Sequence, residues 1–344
     1  VASGRLTYAG LVRQPRLVTR YLVVGDGPAA QAIIEAVHAS LGGDHEVVGY
    51  VSIGASAEGH AETSVVSGAP WLGFGTDLTE TIVRSGATAV VLASGAEMPN
   101  PVQGAIVAAF EAGLHVVPMP LLFERVTGRV SVEHAPEFWS TTIPARERDW
   151  AYRATTRVRD VALGVVGLAI TAAVTPLVAV ALRIEGPGPV FYRQVRVGHR
   201  GRPFTLWKFR SMVPDAEASA GVQWAVPGDT RITRVGRLLR RTRLDEAPQF
   251  WNVVRGHMSV VGPRPERPEF VDQLASAIPL YRLRHAVRPG LTGWAQVKAP
   301  YAATEAEART KLEYDLYYLR NQSHYLDLLI IAKTVWVILG LRGR

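Results

Sequence analysis

The chain is 344 residues long, 48% of them apolar, with a formal net charge of +8 and no cysteine. That length suffices for two compact domains, and the missing cysteines exclude disulfides, zinc–thiolate sites and a thiol nucleophile while fitting a reducing compartment. Residues 1–150 hold nine arginines, no lysine and fifteen acids, net −6, which leaves +14 on residues 151–344, so only the second half points to an anionic partner such as nucleic acid, lipid headgroups or phosphorylated substrates.

The chain opens at Val1 without a signal-peptide pattern, as expected of a piece of a longer protein. Its first half alternates β and α. Tyr21–Val24 is a short apolar strand running into Gly25-Asp26-Gly27-Pro28-Ala29-Ala30 and a helical stretch to about Ala39. Strand-like runs follow at Val47–Val51, Ala89–Leu92 and Val116–Val117, with helical stretches near Asp77–Ser85 and Pro101–Ala112. The pattern predicts an α/β, Rossmann-like, doubly wound domain over residues 1–135. Its turn approximates the dinucleotide fingerprint, but Pro28 removes a phosphate-facing amide, and Tyr50-Val51-Ser52 stands where the ribose-binding acid belongs. With no lysine in this half, no Tyr-x-x-x-Lys pair exists either. The expectation is a structural or regulatory domain; a nucleotide-sugar epimerase or oxidoreductase using NAD is the weaker reading.

Residues 123–157 read as a connector, with 136–157 as linker proper. Trp139 and Trp150, with Arg146, Arg148, Arg153, Arg157 and Arg159, suit an approach to a membrane surface. Val161–Leu182 then runs uncharged for 22 residues, about 33 Å as a helix and long enough for a hydrocarbon core. Pro176 interrupts it, preceded by Thr175, whose hydroxyl is placed to satisfy a freed backbone group. Both flanks are basic, with Arg183, Arg193, Arg196, Arg200 and Arg202 following. The positive-inside tendency then sets both ends in the cytoplasm, which a re-entrant helix broken at Thr175-Pro176 satisfies.

Phe204, Leu206 and Lys208 alternate as in a strand that presents cations inward, with Arg210 beyond. Ile232, Val235, Leu238 and Leu239 recur at helical spacing, and Thr242–Leu244 break that helix. Next come Asp245 and Glu246, with Arg240, Arg241 and Arg243 upstream and Arg264 downstream between two prolines. Adjacent carboxylates among guanidinium groups suit chemistry on a phosphate: arginines hold phosphoryl oxygens, and a carboxylate binds Mg²⁺ or attacks phosphorus. Asp245 is a plausible N-cap of a helix with Pro248 in its first turn. Taken alone, the pair is better read as an ordinary capped surface helix with solvated charges; the functional reading rests on the longer stretch. A non-catalytic basic binding protein is a third reading, although the arginines converge on the acids instead of forming a stripe, which opposes nucleic acid. Leu326–Leu341, apolar on most faces and short for a span, reads as an in-plane interfacial helix.

The longer stretch resembles the bacterial sugar transferase family, the polyprenyl-phosphate phosphoglycosyltransferases. The likeness is carried by Lys208-Phe209-Arg210-Ser211-Met212, Arg231 to Gly236, Leu244-Asp245-Glu246, Pro248-Gln249, Asn252-Val253, Val261-Gly262-Pro263-Arg264-Pro265, Arg288 to Val297 and Tyr314 to Tyr318, in order over roughly 155–340. Arg243 and Ala247 depart from the commonest pattern, and neither is expected to touch the acids. The resemblance implies a mainly helical, monotopic catalytic domain over 158–344, on the cytoplasmic face of the bacterial plasma membrane. The implied reaction moves a hexose-1-phosphate from a UDP-sugar to polyprenyl phosphate, with Asp245 as nucleophile. Glu246, with Asp245, would hold Mg²⁺. Lys208, Arg210, Arg240 and Arg264 are the candidate phosphate holders, and Arg288 opens the nucleotide-side loop. Membrane lipids are the expected partners, nucleic acid is not, and a homodimer is an assembly the reading allows. Long family members carry a Rossmann-like domain where this chain has one, and a transmembrane helix bundle before it.

Overall fold

The computed structural model describes residues 18–40, 43–53, 65–93, 98–134, 149–214, 229–299 and 304–340; Trp139, Arg146 and Arg148 lie outside them. The chain divides into two compact units, Val1–Pro136 and Glu137–Arg344.

The first unit is built on strands β1 (Thr19–Val24), β2 (His45–Ser52), β3 (Val65–Val66), β4 (Ala69–Phe74), β5 (Ala89–Leu92) and β6 (His115–Pro118), ordered β3-β4-β2-β1-β5-β6. Every pairing is parallel except β3 with β4, an antiparallel edge. Strand alternation sends Tyr21, Val23, Ala89 and Val91 to one face, where they meet Ile33, Ile34 and Val37 of α1 (Pro28–His38) and Leu122 of α4 (Met119–Thr127). Leu22, Val24 and Val90 point the other way, onto Leu78 and Ile82 of α2 (Leu78–Ser85) and Val102 of α3 (Asn100–Glu111). A sheet covered on both faces needs this two-sided apolarity. Helix α4 lies partly where a connector is expected. It forms because Leu122 and Phe123 complete the first face, and it ends at Gly128 in the left-handed conformation.

The second unit is organised on α5 (Trp150–Glu185), which begins earlier than the uncharged stretch predicts. Asp149 caps it, accepting from the amides of Ala151 at 3.0 Å and Tyr152 at 3.2 Å. Residues 150–157 are therefore helix and not linker. The helix also continues through Pro176. The Thr175 hydroxyl donates to the Thr171 carbonyl at 2.6 Å, whereas the carbonyl that Pro176 leaves without a partner belongs to Ala172, four residues back. Asp160, Gly164, Gly167, Thr171, Val178 and Leu182 are buried along one stripe, while Val158, Val165, Val166, Ile170, Leu177 and Val180 on the other faces are exposed. Among the described residues, α5 alone is long and apolar enough to cross a membrane.

The stripe docks on the rest of its own unit from end to end. Asp160 accepts from the Val260 amide at 3.2 Å, and the Thr171 hydroxyl donates to the Ala247 carbonyl at 3.2 Å. Past the proline, the Leu182 carbonyl accepts from Arg210 at 2.8 Å, and Glu185 from the Val235 amide at 2.8 Å. Between these points α5 crosses α7 (Phe250–Arg255) at glycines: a Cβ on Gly164 would meet Val254 Cγ2 at 2.8 Å, and one on Gly167 would fall against the Phe250 ring. Part of the expected basic flank is used internally. Arg157 donates to the carbonyls of Val253 at 2.7 Å and Val254 at 2.6 Å. Arg159 pairs with buried Asp327 at 2.6 Å.

Around α5 stand the antiparallel pair β7 (Phe191–Val197) and β8 (Pro203–Phe209), helix α6 (Arg234–Arg241), the parallel pair β9 (Ser259–Val261) and β10 (Gly290–Thr292), and helices α8 (Pro268–Ala277), α9 (Trp294–Lys298), α10 (Glu305–Asn321) and α11 (His324–Leu339). Ile232 falls outside α6 and bridges Met212 instead; Thr233 caps the helix through the Gly236 amide at 2.9 Å. Asp327 of α11 also accepts from Tyr318 at 2.9 Å and Tyr152 at 3.2 Å, which fastens α11 to α5 and α10. Tyr325, Leu328, Val335 and Trp336 leave an exposed apolar face on α11.

Candidate active site

Asp245 and Glu246 sit inside a 3₁₀ turn, Leu244–Gln249, between α6 and α7. Asp245 is not an N-cap. An N-cap carboxylate needs the amide two or three residues on, and the third residue here is Pro248, which has none. The chain instead enters the turn through Arg243 in the left-handed region, φ 61°, and closes it with a bond from the Glu246 amide to the Arg243 carbonyl at 3.2 Å. Both acids are thereby buried, Asp245 at 7% and Glu246 at 8% exposure.

Burial treats them oppositely because their neighbours differ. Glu246 Oε1 receives Lys208 Nζ at 3.1 Å and Arg264 Nη2 at 2.7 Å, and Oε2 has Arg243 Nη1 at 3.6 Å. Burial alone would raise its pKa, but Arg264, Lys208 and Arg243 outweigh that and hold it well below the usual carboxylate range. Asp245 makes no hydrogen bond or ion pair with any described residue. Burial, then the adjacent Glu246 charge, pushes its carboxyl up to about 6 against the pull of Lys208, Arg240 and Arg264. Lys208 is itself lowered by burial, with Glu246 opposing the shift.

The surrounding elements explain who reaches the acids. Lys208 projects from β8 on the face of Leu206, as the alternation predicts. Asn252 of α7 fixes that strand, donating to the Thr205 carbonyl at 2.7 Å and accepting from the Trp207 amide at 3.3 Å. Arg264 leaves the loop after β9, where Gly262 abuts Gly290 and Gly293 too closely for a side chain. Its carbonyl accepts from Arg284 at 3.1 Å, and Arg284 is bound in turn to buried Asp315 at 2.7 Å. Arg240 donates to Ser211 Oγ at 2.9 Å.

Two predicted site residues, the phosphate holder Arg210 and Arg288 of the nucleotide-side loop, are elsewhere. Arg210 closes the end of α5, donating to the carbonyls of Pro187 at 2.6 Å, Leu182 at 2.8 Å and Gly186 at 3.1 Å. Arg288 lines a separate cavity beside the first turns of α5. Conversely, Arg243, expected not to touch the acids, faces Glu246. Its left-handed backbone swings the side chain back over the turn, which residue type does not reveal. Asn252 and Asp315 stand in motifs that carry the family likeness but have no role assigned there, and Arg284 lies outside those motifs; all three act as positioning residues.

No cluster of three or more metal-ligating side chains occurs among the described residues. The pair nonetheless fits a Mg²⁺ ion carried largely by a diphosphate, which needs only one or two carboxylates. Asp245 has no hydrogen-bond or ion-pair partner among the described residues, and Glu246 Oε2 is less engaged than Oε1. A buried carboxylate with no hydrogen-bond partner among the described residues and with Lys208, Arg240 and Arg264 close by has the chemistry a nucleophile or base beside an anion needs.

The chain is similar to known proteins over this part of its length. The chain is 44% identical over 217 residues to the UDP-N-acetylgalactosamine-undecaprenyl-phosphate N-acetylgalactosaminephosphotransferase of Aeromonas hydrophila, covering 63% of this chain and 50% of that protein. It is 42% identical over 182 residues to the UDP-glucose:undecaprenyl-phosphate glucose-1-phosphate transferase of Escherichia coli K12, covering 52% of this chain and 39% of that one. The enzyme of the same name from Xanthomonas campestris is 41% identical over 197 residues, 56% of this chain and 40% of the relative. The chain thus spans half or less of the length of these relatives. The family model for bacterial sugar transferases matches residues 151–340, which include α5, both acids and every side chain around them, and the chain belongs to the bacterial sugar transferase family.

Proposed function

We propose that the second unit transfers a hexose-1-phosphate from a UDP-sugar to a polyprenyl phosphate in two displacements through Asp245. The observation that carries this reading is the contrast between the acids: Glu246 Oε1 is held by Lys208 and Arg264, whereas Asp245 has no hydrogen-bond partner among the described residues and its carboxyl is pushed up to about 6. An Asp245 oxygen attacks the sugar-linked phosphorus, the bond to the bridging oxygen breaks, and UMP departs with the electron pair. An oxygen of the lipid phosphate then attacks the same phosphorus and returns the carboxylate, leaving a polyprenyl diphosphate sugar. Lys208 and Arg264, aligned by Glu246, and Arg240 offset phosphoryl charge. Mg²⁺ held by Asp245 and Glu246 Oε2 would neutralise the donor diphosphate. The activities for which the relatives are named support the substrate classes, and they differ in the sugar, N-acetylgalactosamine in one and glucose in others.

The membrane reading rests on α5. Its buried stripe is bonded to one unit both before and after Pro176, while apolar side chains face outward along its length. A crossing helix would need lipid between those two ends. We read α5 as re-entrant or in-plane, with the exposed face of α11 beside it, on the cytoplasmic face of the bacterial plasma membrane. The first unit is read as Rossmann-like and without sugar-modifying chemistry. Neither an NAD enzyme nor a nucleic-acid binder draws support from the site.

Incubation with UDP-sugars in the absence of lipid tests the mechanism. About one UMP per active site should appear, with one sugar-phosphate added in mass and mapped to Asp245. A single displacement gives no UMP until lipid is added and no adduct, and that result would discard the covalent step.

A further inference from the structure

Residues 210–213 run on from β8, and their backbone is fixed from several directions. The Arg210 amide donates to the Val190 carbonyl at 2.8 Å, the Ser211 carbonyl accepts from the Thr233 amide at 3.2 Å, and the Val213 amide donates to the Arg231 carbonyl at 3.0 Å. Gly236 of α6 lies so close that a Cβ there would fall against the Ser211 carbonyl. Ser211 is buried in consequence, and its hydroxyl has one fixed place. From there Ser211 Oγ accepts from Arg240 Nε at 2.9 Å.

Arg240, in the last turn of α6, stands within electrostatic reach of two carboxylates, Asp229 and Asp245. It forms an ion pair with neither. Asp229 is already taken by Arg231, whose Nε reaches Oδ1 at 2.9 Å and Oδ2 at 3.1 Å, and whose Nη2 reaches Oδ2 at 2.7 Å. Asp245 has no hydrogen-bond partner among the described residues. A buried carboxylate in that condition draws a nearby guanidinium into a charge-assisted pair, and the bond from Nε to Ser211 opposes that movement. It also leaves Nη1 and Nη2 of Arg240 without a partner among the described residues. Those are two donors of the fork that holds phosphoryl oxygens. Lys208 and Arg264 are placed differently, since both are bonded to Glu246.

Resting on the transfer reading above, we infer that Ser211 is a positioning residue: its hydroxyl holds Arg240 off Asp245, which keeps the carboxylate open to phosphorus and the two terminal arginine nitrogens open to the transferring phosphoryl group. Ser211 touches neither substrate itself. Its effect passes wholly through Arg240.

The test is a double-mutant cycle on the full chain in reconstituted membranes, with UDP-sugar and polyprenyl phosphate supplied and lipid-linked product measured. Ser211→Ala leaves every backbone bond of the segment in place, so the variant keeps the fold. It should lower the maximal rate about tenfold, as loss of one hydrogen bond to a charged group does, with the donor KM changed by less than about twofold. Ser211→Thr retains the hydroxyl and should recover most of the loss. In an Arg240→Gln background, Ser211→Ala should have no further effect, because the two residues act as a unit. Additive losses in the cycle, a Thr variant no better than Ala, or a loss that lies in KM alone would each overturn the inference. The two readings fail separately: absence of UMP release without lipid discards the covalent step, whereas additivity on lipid-linked product discards the role of Ser211.

Discussion

Replacing Asp245 by Asn should lower turnover at least about a thousandfold, as loss of a covalent nucleophile does, yet leave the protein at least as stable at neutral pH. The reason is the sign of its shift. A carboxyl raised from 3.8 to about 6 by burial and by Glu246 is destabilising when ionised, so stability contributed by this group falls as pH rises between those values. Activity runs the other way. In the proposed mechanism only the carboxylate attacks, so the initial rate of UMP release should fall about tenfold per unit below pH 6. Glu246 is depressed, so its contribution to stability is present above its ordinary pKa of 4.5 and is lost on acidification below it. Glu246→Gln should therefore lower the melting temperature, by roughly 1–3 kcal/mol of stability, because Lys208 and Arg264 would face each other without a carboxylate. The acids themselves were legible in the sequence, being adjacent and ringed by arginine. Their division of labour was not, because it depends on Lys208 and Arg264 arriving from β8 and the loop after β9. Arg210 shows the same limit. Its type suits phosphate and carbonyls alike, and only the end of α5 decides between them.

At the scale of elements, Gly167 is the tightest junction between α5 and the acid-bearing turn. Gly167→Leu should push α7 away and, through the Thr171–Ala247 bond, displace Asp245. The expected cost is about 1–3 kcal/mol of stability, typical of overpacking, with turnover reduced more than donor binding. Ile170→Leu, on the exposed face, should do neither. The apolar run made α5 readable, but its capping by Asp149 and its docking stripe were hidden: small residues spaced along a helix read as neutral until a partner helix fills the gap. Gly27 lies in the turn that approximates the fingerprint, and its φ is −87° with nothing within 4 Å of an added Cβ. Gly27→Ala should leave thermal stability within about 0.5 kcal/mol, whereas a Cβ on Gly25, at φ 135°, would meet the Ala93 carbonyl at 2.8 Å.

For the whole molecule, each unit has a core of its own, and all the groups placed at the acids come from the second. A chain starting near Glu137 is expected to retain donor-dependent UMP release within about threefold in reconstituted membranes. Loss of chemistry in a folded truncation would assign the first unit a catalytic part. The uneven charge was readable as a plain count, and it marked the unit that carries the acids. Cysteine-free sequence also makes topology direct to measure: Ala154→Cys and Arg202→Cys should be labelled from the same side of the membrane, and labelling from opposite sides would refute the re-entrant reading. The end-to-end docking of α5 has one more consequence. A helix that crosses a bilayer tilts or kinks as acyl chains lengthen, and anything mounted on it moves in turn. In the membrane reading proposed above, the elevation of Asp245 is set by Thr171, Gly167 and Arg210 gripping the same body. Turnover should accordingly be nearly flat across host lipids of different chain length, so that one protein serves thin and thick bilayers alike.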